Sequence, residues 1–340
     1  MLAVAVVLLV QLILGLILQA AEQAENAAAL MAGALVLQTG IFLVYFFVVL
    51  YRKKTTLFPV FEKHKSVNTK FKDKFNFKNI GLSAAAGILC LLAFMLFSFW
   101  AEVILELIGF NIQTPPHFGV ASIILLGFAV IIFAPIAEEV VFRSLQSGLQ
   151  QKVGATKAVL LAALAFAFIH LSPLQTVYQF ALGVVCGLLA LWTKSTMSAI
   201  AAHLVSNAVV FGLNFMPLEY ALQRVVTYDT IPPSSYNIIR QAMMQNAGAA
   251  IGITIGALAM FGTGLFFLMR YIKKRGIKEK KEEVKEEIQG KEEGDTEQDA
   301  ILKNEVSSSA PEQHTWIFYS FGIAICAAMW IVTLVNGIAG

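Results

Sequence analysis

Residues 120–143 read VASIILLGFAVIIFAPIAEEVVFR and place two carboxylates, Glu138 and Glu139, directly after a long apolar run. The run from Val120 to Ala137 carries no charge, and its length approaches the ~20 apolar residues that a membrane-spanning helix needs. A charge in the hydrocarbon core costs ~2.5–3.5 kcal/mol on insertion scales, so carboxylates at this depth usually face a protein interior or a water-filled cavity. The stretch therefore predicts a membrane helix that carries a functional site.

The composition of the whole chain indicates an integral membrane protein. Of its 340 residues, 58% are hydrophobic and 14% are charged, whereas an ordinary soluble domain has ~25% charged residues. The charges concentrate in two runs, 52–78 and 270–312. Their basic residues flank apolar segments and form no aromatic-interleaved face, so we predict no nucleic-acid partner.

The apolar runs predict an all-α polytopic membrane protein with about eight to nine transmembrane helices. The candidate spans are 2–19, 28–51, 80–100, 119–148, 156–172, 175–193, 197–215, 249–272 and 316–337. Two Gly-x-x-x-Gly pairs, Gly183 with Gly187 and Gly252 with Gly256, are typical of helices that pack closely in membranes.

The spans and charge runs divide the chain into five regions. They are N-terminal helices with a basic loop (1–117), a segment with polar interruptions (118–215), an outer loop and helix (216–272), a charged linker (273–315) and a C-terminal helix (316–340).

The distribution of basic residues predicts the orientation. The loop 52–78 carries nine Lys and Arg residues, which places it in the cytoplasm by the positive-inside rule. The N-terminus then lies in the cytoplasm as well, and we expect a plasma membrane of the bacterial type.

The two glutamates have different helical neighbours. Glu139 and Arg143 are four residues apart, so they can form an ion pair on one helix face. Glu138 points about 100° away and stays free for another task. Pro135 lacks an N–H group, so a kink is expected just before the pair.

Two later apolar runs carry further polar residues. His170 follows Phe166 by four residues, which places an aromatic ring beside the imidazole. His203 and Asn207 have the same spacing and offer hydrogen-bonding groups from one helix face.

These residue types support two kinds of hydrolytic site. A carboxylate with an imidazole can activate water as a general base, and a second His with an Asn can stabilise an oxyanion. Alternatively, Glu138, His170 and His203 offer two imidazoles and one carboxylate, a set that can hold Zn²⁺ with an open position.

Roles other than hydrolysis remain open for the same residues. Each group alone fits a structural role, as an ion pair, a core histidine or an interhelical hydrogen bond. A carboxylate–imidazole relay also suits a proton- or solute-coupled transporter, although no inverted repeat is evident. A catalytically silent scaffold is the third alternative.

The three groups together resemble the CPBP family of intramembrane proteases, named for CAAX proteases and bacteriocin-processing enzymes. Residues 138–143 (EEVVFR) look like its EExxxR motif, 166–170 (FAFIH) like FxxxH, and 203–207 (HLVSN) like HxxxN. The strong part of the resemblance covers about 118–215. It implies a protease core of four consecutive helices and a type II CAAX prenyl endopeptidase-like hydrolase.

The resemblance also implies roles for six residues. Glu138 and His170 would activate water, and His203 and Asn207 would donate to the oxyanion. Two more would orient and tune these groups, namely Glu139 and Arg143.

The resemblance leaves the mechanism open between a glutamate-type enzyme that needs no cofactor and a metalloendopeptidase that uses zinc. The implied partners are the lipid bilayer and a peptide or protein substrate, with lipidated substrates among the options. One difficulty arises from depth, because His170 lies ~24 Å along a helix that begins near Gly154, and nothing obvious places Glu138 at the same level.

Overall fold

The computed structural model describes residues 76–110, 120–170, 172–215, 241–292 and parts of 327–338. The candidate spans 2–19 and 28–51 lie outside these residues, as does most of the basic loop. The cytoplasmic N-terminus therefore stays a prediction.

The described part of the chain contains helices and no strand. The α-helices are α1 (Phe77–Leu107), α2 (Val120–Gly127), α3 (Ala134–Val153), α4 (Ala155–Ile169), α5 (Thr176–Thr193), α6 (Thr196–Phe215) and α7 (Ala247–Glu292), with a π-helical segment, Phe128–Phe133, between α2 and α3. This confirms the all-α class. Five spans in the described residues are long and apolar enough to cross a membrane: Phe77–Leu107, Ile123–Gln150, Thr176–Thr193, Thr196–Leu213 and Ala247–Glu279.

From residue 120 onward, the predicted span 119–148 is one continuous helical stretch with an internal π turn. The irregularity expected near Pro135 is this π turn. Pro135 itself lies in the first turn of α3, where its missing N–H is tolerated. The Ala134 N–H donates to the carbonyl of Ala129, five residues earlier. The Val130 carbonyl therefore loses its α-helical donor, Ala134, and its π-helical donor would be Pro135, which has none.

A tight turn at Gly154 joins α3 and α4 into an antiparallel hairpin. Gly154 has φ of 82°, a conformation that glycine adopts without strain. Glu138 lies 16 residues before this turn and His170 lies 16 residues after it. Both therefore lie ~24 Å from the turn at ~1.5 Å per residue, which resolves the difficulty of depth.

Helices α5 and α6 form the centre of the bundle. Helix α1 packs against α5, α6 and α7, while α4 packs against α3 and α5, and α6 also contacts α3 and the π segment. A Cβ added to Gly183 would lie 3.0 Å from Ala163 Cα, as expected for close packing of this glycine pair. At Gly252 and Gly256, by contrast, a Cβ would meet nothing within 4 Å among the described residues.

Helices α1 and α6 approach each other very closely at Gly87 of α1. A Cβ there would fall 2.2 Å from the Ala202 carbonyl oxygen of α6, and Ser206 Oγ donates a hydrogen bond of 3.1 Å to the Gly87 carbonyl. Because α6 also carries His203, this contact fixes the helix that supplies one wall of the candidate site.

We predict that Gly87→Ala destabilises the protein, because the clash is with backbone rather than with a flexible side chain. The loss should be ~1–3 kcal/mol, the usual cost of overpacking, measured as thermal unfolding in detergent. Gly81→Ala on the same helix is the matched control, since a Cβ there meets nothing within 4 Å. Equal melting temperatures for the two variants would contradict the assignment.

Candidate functional site

Side chains from three helices converge on one carboxylate oxygen. Glu138 Oε2 on α3 lies 3.9 Å from His170 Nε2, at the end of α4, and 3.9 Å from His203 Nε2 on α6. Both distances are too long for a direct hydrogen bond, and Glu138 Oε2 has no hydrogen-bond partner among the described residues. The three atoms therefore leave room for a small polar molecule between them.

The accessibility of these side chains differs. Glu138 and His170 are 22% and 19% exposed, whereas His203 is 1% exposed. The first two groups can thus meet a molecule that enters from outside the bundle, while His203 forms the buried side of the site.

Glu139 has a different environment from its neighbour. It is fully buried, and its Oε2 lies 2.9 Å from Arg143 Nε, which confirms the ion pair expected from their spacing. Its other oxygen, Oε1, lies 3.0 Å from His203 Nδ1. A carboxylate only accepts hydrogen bonds, so His203 Nδ1 carries a proton and the imidazole is oriented with Nε2 toward Glu138.

The sequence interpretation missed the continuation of this network. Arg143 donates from NH1 to Gln146 Oε1, and Gln146 Nε2 donates to the Gly187 carbonyl at 3.0 Å. A Cβ at Gly187 would lie 2.7 Å from the Arg143 guanidinium, so a larger residue here would displace that side chain. Gln146 follows Glu139 by seven residues, which places it on the same helix face, and that spacing was the signal available in the sequence.

The backbone selects the tautomer of His170. Its Nδ1 lies 2.7 Å from the Phe166 carbonyl oxygen. A carbonyl only accepts, so Nδ1 carries the proton and Nε2 of the neutral ring presents a lone pair toward Glu138. The Phe166 ring contacts both imidazoles edge to face, with its centroid 4.9 Å from that of His170 and 5.4 Å from that of His203.

Asn207 is attached to the π segment. Its Nδ2 donates a hydrogen bond of 2.9 Å to the Val130 carbonyl, the group that the π turn and Pro135 leave without a helical donor. One amide proton of Asn207 therefore joins α6 to the π segment, and one remains for another acceptor.

Trp330, from the C-terminal part of the chain, stabilises the turn that follows His170. Trp330 Nε1 donates to Thr176 Oγ1 at 2.9 Å, and Thr176 Oγ1 donates to the Ser172 carbonyl at 2.8 Å. The Trp330 ring also packs against Phe168, with centroids 6.1 Å apart. Nothing in the local sequence pattern indicated this contact, because its partners are 154 residues apart.

No group of three or more His, Cys, Asp or Glu side chains in the described residues is arranged to hold a metal ion. The three donors named as possible zinc ligands, Glu138, His170 and His203, do face one another. Zinc binding by these three residues therefore stays a hypothesis.

One comparison with known proteins matches this segment. Residues 120–209 match the model of a family described as "Rce1-like: Type II CAAX prenyl endopeptidase Rce1-like". The match includes all three motifs, and it confirms the family resemblance. No curated protein and no solved structure matches the chain.

We predict that the two adjacent glutamates differ in their effect on stability. Glu139→Gln removes the negative charge that contacts the buried Arg143 and His203 side chains. It should lower the free energy of unfolding by ~3–5 kcal/mol. Glu138→Gln removes no hydrogen bond and should change stability by less than ~0.5 kcal/mol. Thermal unfolding of the two purified variants beside wild type measures this, and a loss of similar size in both would contradict the division of roles.

A second prediction concerns the Val130 carbonyl. Asn207→Leu leaves it unpaired, at a cost of ~1–3 kcal/mol, whereas Pro135→Ala supplies an N–H group five residues after it. Pro135→Ala should therefore be more favourable in the Asn207→Leu background than in wild type, with a coupling of ~0.5–3 kcal/mol in a double-mutant cycle. Additive effects of the two substitutions would contradict the assignment.

Proposed function

We propose that this protein is an intramembrane endopeptidase in which Glu138 and His170 activate a water molecule. The observation that carries the proposal is the position of Glu138 Oε2, 3.9 Å from the Nε2 atoms of two imidazoles. This separation suits a bridging water, which can hydrogen-bond to the carboxylate and to an imidazole at the same time. The match to a family of CAAX-type endopeptidases supports peptide hydrolysis.

The hydrogen-bond pattern determines how the water is held. The Glu138 carboxylate accepts hydrogen bonds. His170 accepts at Nε2, because the proton of its neutral ring is on Nδ1, which donates a hydrogen bond to the Phe166 carbonyl. A water between them donates both protons and directs a lone pair at the substrate carbonyl carbon. As the new C–O bond forms, Glu138 takes one proton, and this proton passes to the leaving nitrogen when the C–N bond breaks.

The oxyanion of the tetrahedral intermediate needs hydrogen-bond donors, which Glu138 and His170 Nε2 do not supply because both are acceptors. His203 donates a hydrogen bond from Nδ1 to Glu139, so donation from Nε2 as well requires an imidazolium, which would lie against the carboxylates of both Glu138 and Glu139. Asn207 contributes the amide proton that the Val130 carbonyl does not use. Glu139 and Arg143 act as positioning residues, because they reach the reaction only through His203.

The proposed substrate is a membrane-associated peptide or protein, for which the bilayer is the second partner. The family description names prenyl endopeptidases, so a prenylated CAAX-type peptide is the first substrate to test, followed by the same peptide without the lipid. A zinc-dependent mechanism would use Glu138, His170 and His203. Loss of cleavage in the presence of a chelator would distinguish it from the glutamate-type mechanism.

We predict that Glu138→Gln and His170→Ala each lower the cleavage rate by ~10²–10⁴-fold, the usual contribution of general-base catalysis. The assay uses purified protein in proteoliposomes, a quenched fluorescent peptide with a farnesylated cysteine three residues from its end, and its unmodified counterpart. Glu106→Gln, an exposed carboxylate on α1, is the matched control and should retain wild-type cleavage.

Three outcomes would change the assignment. Cleavage that survives both Glu138→Gln and His170→Ala would eliminate the proposed pair. Cleavage that a chelator abolishes and zinc restores would favour the metal mechanism. Absence of cleavage by wild type across a peptide library, together with a proton or solute flux that depends on Glu138, would favour a transporter.

A further inference from the structure

A cavity lies along α5, and its lining includes neither Glu138 nor the two imidazoles. It is a groove of about 810 Å³ between α5 and α7, bordered by Phe94 of α1. Its walls are aromatic and aliphatic and include Phe180, Val184, Leu188 and Leu265. None of the motif residues lines it, so the groove is separate from the proposed protease site.

The dimensions of the groove fit a lipid chain. Its lining on α7 extends from Gly262 to Ile277, which corresponds to ~23 Å along a helix. The hydrocarbon core of a bilayer is ~30 Å thick, or ~15 Å for each leaflet. The groove is therefore long enough for an acyl chain of one leaflet, with its headgroup near the C-terminal end of α5.

One end of the groove is closed and basic. Gly276 approaches α5 so closely that a Cβ would lie 2.2 Å from the Trp192 carbonyl oxygen. Three cationic side chains line the groove within two helical turns of Gly276, namely Arg270, Lys273 and Lys274. Lys273 Nζ lies 5.6 Å from the centre of the Trp192 ring, a cation–π contact that holds this charge beside the apolar channel.

The pairing of charges distinguishes this end from the rest of α7. Farther along the helix, Arg275 pairs with Glu279 at 2.8 Å and Lys278 with Glu282 at 3.7 Å. No carboxylate of the described residues lies within ion-pair distance of the three groove cations. Positive charge without a counter-charge beside an apolar channel is complementary to an amphiphile with an anionic head.

We propose that this groove binds an anionic phospholipid of the surrounding bilayer. An acyl chain lies between α5 and α7, and the phosphate contacts the cationic end formed by Arg270, Lys273 and Lys274. Basic pockets between membrane helices are the usual sites for anionic headgroups. A zwitterionic phospholipid lacks the net charge that these three side chains recognise.

The test measures lipid selectivity in phosphatidylcholine vesicles that contain the full-length protein and a spin-labelled lipid. The motionally restricted fraction of spin-labelled phosphatidylglycerol, compared with spin-labelled phosphatidylcholine, gives a relative association constant. Wild type should prefer phosphatidylglycerol by at least roughly fivefold, the factor that one basic side chain contributes near an anionic surface.

Two matched pairs of variants locate the selectivity. Lys273→Gln with Lys274→Gln should lower the preference well below that of wild type, leaving at most the part that Arg270 contributes, while Arg275→Gln with Lys278→Gln removes equal charge from paired positions and should leave the preference unchanged. Gly262→Phe should also abolish the preference by filling the groove, since a Cβ at Gly262 meets only the Leu258 side chain, at 3.6 Å. Gly256→Phe, on the same helix in open space, is its control.

Two results would overturn the proposal. Equal restriction of the two lipids by wild type would show that the groove does not select anionic headgroups, as expected if an apolar segment of the chain or a zwitterionic lipid occupies it. Selectivity that persists in both the Lys273/Lys274 variant and Gly262→Phe would place the anionic site elsewhere. Neither readout requires peptide cleavage, so the result is independent of the proposed protease activity.

Discussion

The arrangement of the site depends on one fully buried carboxylate, Glu139. Its two oxygens contact Arg143 on the same helix and His203 on α6. A buried charge is tolerated only when its partners satisfy it, so removal of either contact would leave the other poorly compensated. The orientation of His203, the position of the guanidinium and the contact with α5 through Gln146 all follow from this requirement.

The π turn allows α6 to be joined to the π segment by a hydrogen bond that involves no charged group. In a hydrocarbon environment each backbone carbonyl must find a donor within the protein. Pro135 and the π turn leave the Val130 carbonyl available, and the Asn207 amide satisfies it. The backbone irregularity thus produces a specific interhelical bond, which is consistent with the frequent occurrence of π turns at functional sites.

Local spacing was sufficient to predict the helices and several contacts within them. The ion pair of Glu139 with Arg143 and the edge-to-face contact of Phe166 with His170 follow from a separation of four residues. The common depth of Glu138 and His170 was also encoded, as equal distances from Gly154. Other features depend on tertiary contacts between distant segments, including the Glu139–His203 bond, the donor for Val130 and the lipid-sized groove, and no local pattern specifies them.

The hairpin at Gly154 has a consequence for how this fold can vary. Each residue inserted into α3 or α4 would advance one partner by ~1.5 Å and rotate it by ~100°, so Glu138 and His170 would no longer face each other. Substitutions on the lipid-facing sides of these helices leave that count unchanged. The relative position of Glu138 and His170 therefore depends on the number of residues that separate each of them from Gly154, more than on the identity of those residues.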